Sequence, residues 1–169
     1  MQFRRFGKTE LILPVLAFGA MRSMQTWDHK TVEQVSQQSQ NNLLQILDKA
    51  LHLGINHIET AHGYGSSEFQ LGKLLHEFQR DRLILQTKVS PENNPAKFVE
   101  KVQLSLKHLQ TDYVDLLAIH GINDYKSLWQ SVRHGGCLHA ARKLQKTGLV
   151  RHVGFSGHGP CEVIMEAIN

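Results

Sequence analysis

Apolar residues fall into two rhythms that alternate along the chain. Short continuous runs alternate with longer stretches in which Leu, Val and Phe recur every three or four residues, and Gly, Pro or Ser mark most joins. Such alternation predicts repeated βα units feeding a parallel sheet. Gln2 to Leu13 reads as a hairpin turning near Gly7-Lys8-Thr9, and the apolar run Val15 to Gly19 as the first buried parallel strand. A polar, Gln- and Ser-rich stretch over 22–40 predicts a loop. It leads into a helix over Asn41 to Leu53, with Leu43, Leu44, Leu47, Ala50 and Leu51 on one face and Gly54 at its end. Ile55 to Thr60 predicts the second strand. Ser66 or Ser67 is expected to cap the next helix, Glu68 to favour its positive end, and Leu71, Leu74, Leu75 and Phe78 to mark its buried face. Leu83 to Lys88 predicts the third strand, and Phe98, Val102, Leu106 and Leu109 the helix after it. Val114 to His120 is the fourth strand, followed by helical segments over Tyr125 to Val132 and Leu138 to Lys146, which Gly148 stops. His152 to Ser156 is the fifth strand, and Pro160 opens a further amphipathic segment that runs to Asn169.

The pattern therefore predicts an N-terminal hairpin and about five βα units in one domain over residues 1–169, with no second domain marked. An eight-fold β/α barrel needs about 250 residues, so at 169 residues the barrel is expected to be incomplete at its C-terminus. Composition agrees with a folded chain, because 41% hydrophobic against 20% charged residues supplies a core. The formal charge of +4 is dispersed, with no Lys/Arg run beyond isolated pairs such as Arg4-Arg5 and Arg142-Lys143, so no nucleic-acid partner is expected. Arg4-Arg5 ahead of Leu11 to Ala20 loosely imitates an export signal, but Glu10 precedes that run and Pro14 and Gly19 interrupt it. No run approaches the ~20 apolar residues of a membrane span. With only Cys137 and Cys161, and no CxxC pair, a disulfide framework is excluded and a cytoplasmic location is the expectation.

Parallel βα units deliver the ends of their strands to one face, which in barrels carries the chemistry. Here those ends hold Glu59 with Tyr64 in the following loop, Lys88, His120 and Ser156. A phenol of pKa about 10 is a weak acid, and a neighbouring ammonium lowers that value at roughly 1.4 kcal/mol per unit. Lys88 is expected to supply the charge, Glu59 to keep Lys88 protonated and aimed, and neutral His120 to orient a carbonyl and stabilise charge developing on its oxygen. Each residue alone has a plainer explanation: a Gly-Tyr-Gly turn, a solvated strand-end Lys, a surface Glu, a satisfied His. Their placement at successive strand ends is what favours chemistry.

The stretches FRRFGKTELILPVLAFGAM, GINHIETAHGYGSSEFQLGKLL, LILQTKV, LKHLQTDYVDLLAIHGIND and LQKTGLVRHVGFSGHGP resemble the aldo-keto reductase family. The resemblance spans nearly the whole chain and includes the order carboxylate, Tyr, Lys, His. It implies a (β/α)8 TIM barrel, α/β in class, and an NADPH-dependent oxidoreductase that reduces a small-molecule aldehyde or ketone by hydride transfer. Tyr64 would be the proton donor, Lys88 its pKa-lowering partner and His120 the carbonyl-orienting group. Glu59 stands where the family usually has Asp, one methylene shorter. Ser156 resembles the residue that holds the nicotinamide amide of NADPH, while Ala20 and Met21 resemble positions lining the nicotinamide ribose, with Glu59 near the cofactor as well. Gly157 replaces a frequent Asn. The phrase HIETAHGYGSSE resembles a microbial branch whose longer members append an iron-sulfur segment, and none lies in these residues.

Two other functions compete with catalysis: an NADPH-binding sensor or regulatory subunit without turnover, and an inactive fragment. Five units cannot close a barrel, so self-association through open sheet edges is expected. No metal is expected. His134, Cys137 and His139 have neither zinc-finger nor zincin spacing, and Gly154 to Gly159 lacks the Lys-Ser/Thr of a P-loop.

Overall fold

The computed structural model describes residues 1–23, 27 and 35–169. A hairpin of β1 (Phe3–Arg5) and β2 (Ile12–Pro14) precedes a five-stranded sheet of β3 (Phe18–Gly19), β4 (His57–Glu59), β5 (Ile84–Val89), β6 (Val114–His120) and β7 (Val150–Ser156). The hairpin is antiparallel. The five sheet strands are all parallel and lie side by side in chain order. Helices α1 (Gln37–His52), α2 (Ser67–Leu75), α3 (Pro95–Leu109), α4 (Tyr125–Val132), α5 (Cys137–Lys146) and α6 (Cys161–Ile168) fill the connections. This is the expected run of five βα units in an incomplete barrel.

Burial explains the order. In β6, flanked by strands on both sides, every residue except His120 is buried, as a central parallel strand requires. Leu43, Leu47 and Ala50 of α1, Leu71 and Leu75 of α2, and Phe98, Val102 and Leu109 of α3 bring their predicted faces onto the core with Ile58 and Leu85. The helix ends have local causes. Asn94 accepts from the backbone N–H of Ala96 ahead of Pro95, and Asp124 and Ser127 form a reciprocal capping box at α4. Gly54, at φ +82°, takes the left-handed conformation that a Cβ disfavours and turns the chain off α1.

Several expectations change in detail. The first helix begins at Gln37 rather than Asn41, because the Ser36 hydroxyl accepts from the backbone N–H of Ser39. The loop expected over 22–40 falls largely outside the described residues. The run Val15 to Gly19 pairs only at Phe18 and Gly19; Val15 and Leu16 are exposed, and the backbone N–H of Val15 bonds instead to Gln2 at the hairpin. Among the described residues β3 is an outer strand with a single neighbour and little to bury those residues. Ser66 stands at the cap position of α2, but its side chain makes no capping bond; its hydroxyl accepts from Gln70. Among the described residues no helix is long and apolar enough to cross a membrane.

Candidate active site

The site is assembled by parallel register. Glu59 pairs across from Gln86, Lys88 from Ala118 and His120 from Ser156, so all four strands present their C-terminal ends at one rim. Pairing continues past β4: the backbone N–H of Thr60 donates to Gln86 at 2.9 Å and that of His62 to Lys88 at 2.9 Å. These bonds carry the loop that holds Tyr64 onto the rim. Its far end is fastened by Ser67, whose hydroxyl lies 2.9 Å from that of Thr60 and donates to the carbonyl of Ala20 at 2.9 Å. Tyr64 thus sits on a loop tied at both ends, with its backbone N–H bonded to Ala61 and its carbonyl to Ser67.

Four of the predicted residues converge. The Lys88 ammonium makes an ion pair with the Glu59 carboxylate and lies over the Tyr64 ring, 4.7 Å from its centroid. The Tyr64 and His120 rings meet edge to face, 5.7 Å between centroids. The extra methylene of Glu59 therefore does not prevent the pairing with Lys88. The electrostatics differ from expectation in one respect. Burial pushes the Tyr64 phenol up rather than down, because the ammonium is paired with Glu59 and faces the ring, with no hydrogen bond between it and the hydroxyl. Burial pushes the Lys88 ammonium down to about 8. Burial, aided by the neighbouring Lys88 and His158, lowers the pKa of His120.

The expected cofactor residues are less alike. The Ser156 hydroxyl is buried without a hydrogen-bond partner among the described residues. Its carbonyl is satisfied by the backbone N–H groups of Gly121 and Ile122 at 2.8 and 2.9 Å. Ala20 is buried and its carbonyl accepts from the hydroxyls of Ser23 and Ser67, whereas Met21 is half-buried. Gly157 cannot be replaced by a larger residue in this arrangement, since a Cβ there would lie 2.4 Å from the carbonyl oxygen of Ile122. An open cleft lined by Ser90, His120, Asn123, Lys126 and Gln130 adjoins the rim.

The model of the Aldo/keto reductase family matches residues 15–169. The chain belongs to this family. An aldo-keto reductase of Bacillus subtilis, YhdN, is 33% identical over 125 residues, covering 67% of this chain and 36% of its own length. The L-glyceraldehyde 3-phosphate reductase of Escherichia coli is 29% identical over 176 residues, covering 95% of this chain and 46% of its own. Among solved structures, an aldo-keto reductase from Klebsiella pneumoniae in complex with NADPH aligns with a TM-score of 0.73 at 25% identity, over 99% of this chain and 52% of that one. The chain spans about half the length of these relatives or less, and its sheet is the matching part of an aldo-keto reductase (β/α)8 barrel.

One residue of consequence escaped the sequence reading. Glu68 looks there like a helix-favouring first-turn acid, yet it is buried, with Thr87 donating to its carboxylate at 2.5 Å and His62 and His108 beside it. Burial alone would raise its carboxyl; His108, His62 and Thr87 outweigh that and hold it at about 2. Only the packing of α2 on α3 brings these groups together. The triplet considered from sequence is not assembled in the same way. His134 and His139 have ring centroids 6.4 Å apart, while Cys137 is buried against the backbone of Glu92.

Proposed function

We propose that this chain carries the proton-donating half of an NADPH-dependent carbonyl reductase site. The observation that carries the reading is the convergence of Glu59, Tyr64, Lys88 and His120 at one rim. Bound NADPH would supply hydride to the carbonyl carbon. Tyr64 gives a proton to the carbonyl oxygen, and neutral His120 donates a hydrogen bond that orients that oxygen. Lys88 holds positive charge beside the phenol, and Glu59 fixes Lys88 in place. The unpartnered Ser156 hydroxyl suits the carboxamide of the nicotinamide, and Met21 keeps surface to offer near the ribose. Family membership and the NADPH complex of the Klebsiella relative support the choice of cofactor.

The test is NADPH oxidation by a form carrying eight βα units, assayed with aldehydes and ketones that include glyceraldehyde 3-phosphate, the substrate named for the E. coli relative. Turnover that disappears in Tyr64→Phe is the expected result; unchanged turnover removes Tyr64 from its role. A second reading, an NADPH-binding module without turnover, is favoured by the Lys88 ammonium facing the Tyr64 ring rather than its hydroxyl. Tight cofactor binding with no turnover over the whole panel would select it. Among the described residues β3 and β7 each pair on one side only, so self-association of the 169-residue chain through these edges is expected. Sedimentation of a single monomeric, active species would contradict that.

A further inference from the structure

Behind the Tyr64 loop, three side chains from separate elements meet around one carboxylate. Glu68, in the first turn of α2, is 1% exposed. One of its oxygens takes the Thr87 hydroxyl, and the other lies 3.6 Å from His62 Nδ1 and 3.6 Å from His108 Nδ1. One ligand atom from each of the three residues falls within 4.8 Å of the others. A separation of 3.6 Å is long for an N–H···O bond. The two carboxylate–imidazole separations are close to the edge of a tetrahedron whose metal–ligand bonds are about 2.0–2.2 Å, an edge of roughly 3.4 Å, and the third, within 4.8 Å, would close up around an ion.

We infer that His62, Glu68 and His108 form a binding site for a divalent transition-metal ion, with zinc the best chemical fit. Two imidazole nitrogens and one carboxylate oxygen are a zinc donor set, whereas calcium and magnesium prefer oxygen alone. Glu68 is a buried carboxylate, and a dication bound to it would supply compensating charge directly. The His62 and His108 side chains keep 16% and 20% exposure, which leaves the ion a path from solvent. The Ser105 hydroxyl, 3.1 Å from His62 Nδ1, would give up that contact to an ion bound there.

The backbone prepares this meeting. A Cβ at Gly72 would lie 2.0 Å from the carbonyl oxygen of His108, so the glycine lets the last turn of α3 rest directly on α2, one turn from Glu68. His62 is anchored from the other side by its backbone bond to Lys88, and Thr87 precedes Lys88 in β5. An ion here would tie the Tyr64 loop to both helices without touching the reacting groups. The site does not depend on the reductase reading, and its test measures metal rather than turnover.

The 169-residue chain, stripped with a chelator, is titrated with Zn²⁺ against a chromophoric competitor, with Mg²⁺ as the control ion. One equivalent of Zn²⁺ per chain and no competition by Mg²⁺ are expected. His62→Asn, Glu68→Gln and His108→Leu should each weaken binding by more than the roughly 10–100-fold typical of disturbing an outer partner of a metal site. His139→Ala should leave it unchanged. Binding that is absent in the parent chain, insensitive to all three substitutions, or lost in His139→Ala would overturn the site. Circular dichroism checks that each variant folds. Should they fail to fold, the Co²⁺ form of the parent chain decides: intense visible bands of a tetrahedral ion support the site, and the pale spectrum of an octahedral ion refutes it.

Discussion

The two ends of the same parallel sheet handle charge in opposite ways. At the end where the strands begin, Asp115 is buried and fully used: Arg151 donates to one oxygen at 2.9 Å, and Arg80 and the backbone N–H of Leu85 to the other at 2.8 and 2.9 Å. Both guanidinium groups also lie on the Tyr113 ring, 4.0 and 4.3 Å from its centroid. At the other end, Lys88 and Glu59 have each other, the Tyr64 hydroxyl is not held by Lys88, and the Ser156 hydroxyl has no partner. A saturated cluster holds strands together and leaves nothing over for a ligand. An unsaturated one keeps bonding capacity in reserve, which is what a binding or reacting site needs.

Substitutions at the two ends should separate activity from stability. The largest effect is expected from Tyr64→Phe in a form with eight βα units: kcat/KM for carbonyl reduction falls by about 10²–10⁴-fold, while urea unfolding shifts by no more than about 0.5 kcal/mol. Asp115→Ala should do the reverse, lowering unfolding free energy by about 1.5–3 kcal/mol because two partly exposed guanidinium groups and the Leu85 N–H lose their shared carboxylate, with NADPH affinity of the remaining folded protein unchanged. If both variants behaved alike, the division between the two ends would fail.

Smaller effects sharpen the same contrast through pH. The Glu68 carboxyl is held at about 2 against an ordinary value of 4.5. Its contribution to stability is therefore complete above about pH 4.5 and lost as pH falls toward 2, and acid unfolding of Glu68→Gln should lack that component. Lys88, brought to about 8 by burial, should lose its charge as pH rises through that value, and turnover should decline with it; a flat profile up to pH 10 would separate Lys88 from the reaction. The smallest change belongs to Ser156→Ala, where one hydrogen bond of about 1 kcal/mol predicts roughly fivefold weaker NADPH binding by fluorescence titration.

Much of this was readable in the residues themselves. The boundaries of β6 at Val114 and His120 follow from an apolar run, and α4 spans the predicted helical segment from Tyr125 to Val132; both are local signals. Parallel order then placed Glu59, Lys88, His120 and Ser156 at one rim, since strand ends are set by the chain's own alternation of elements. Direction and partner choice were not readable. Val15 and Leu16 are as apolar as a core strand but lie outside the pairing, because only the neighbouring chain decides how far an outer strand is covered. The same holds for the approach of Lys88 to the Tyr64 ring.

The sequence by itself determined the repeating βα architecture and the set of groups at the mouth, because period, caps and turn residues act over a few positions. Tertiary structure alone decided that Glu68 would be buried between His62 and His108. Those three lie 6 and 40 residues apart along the chain, and nothing shorter in range than the packing of α2 on α3 through Gly72 brings them within reach of one another.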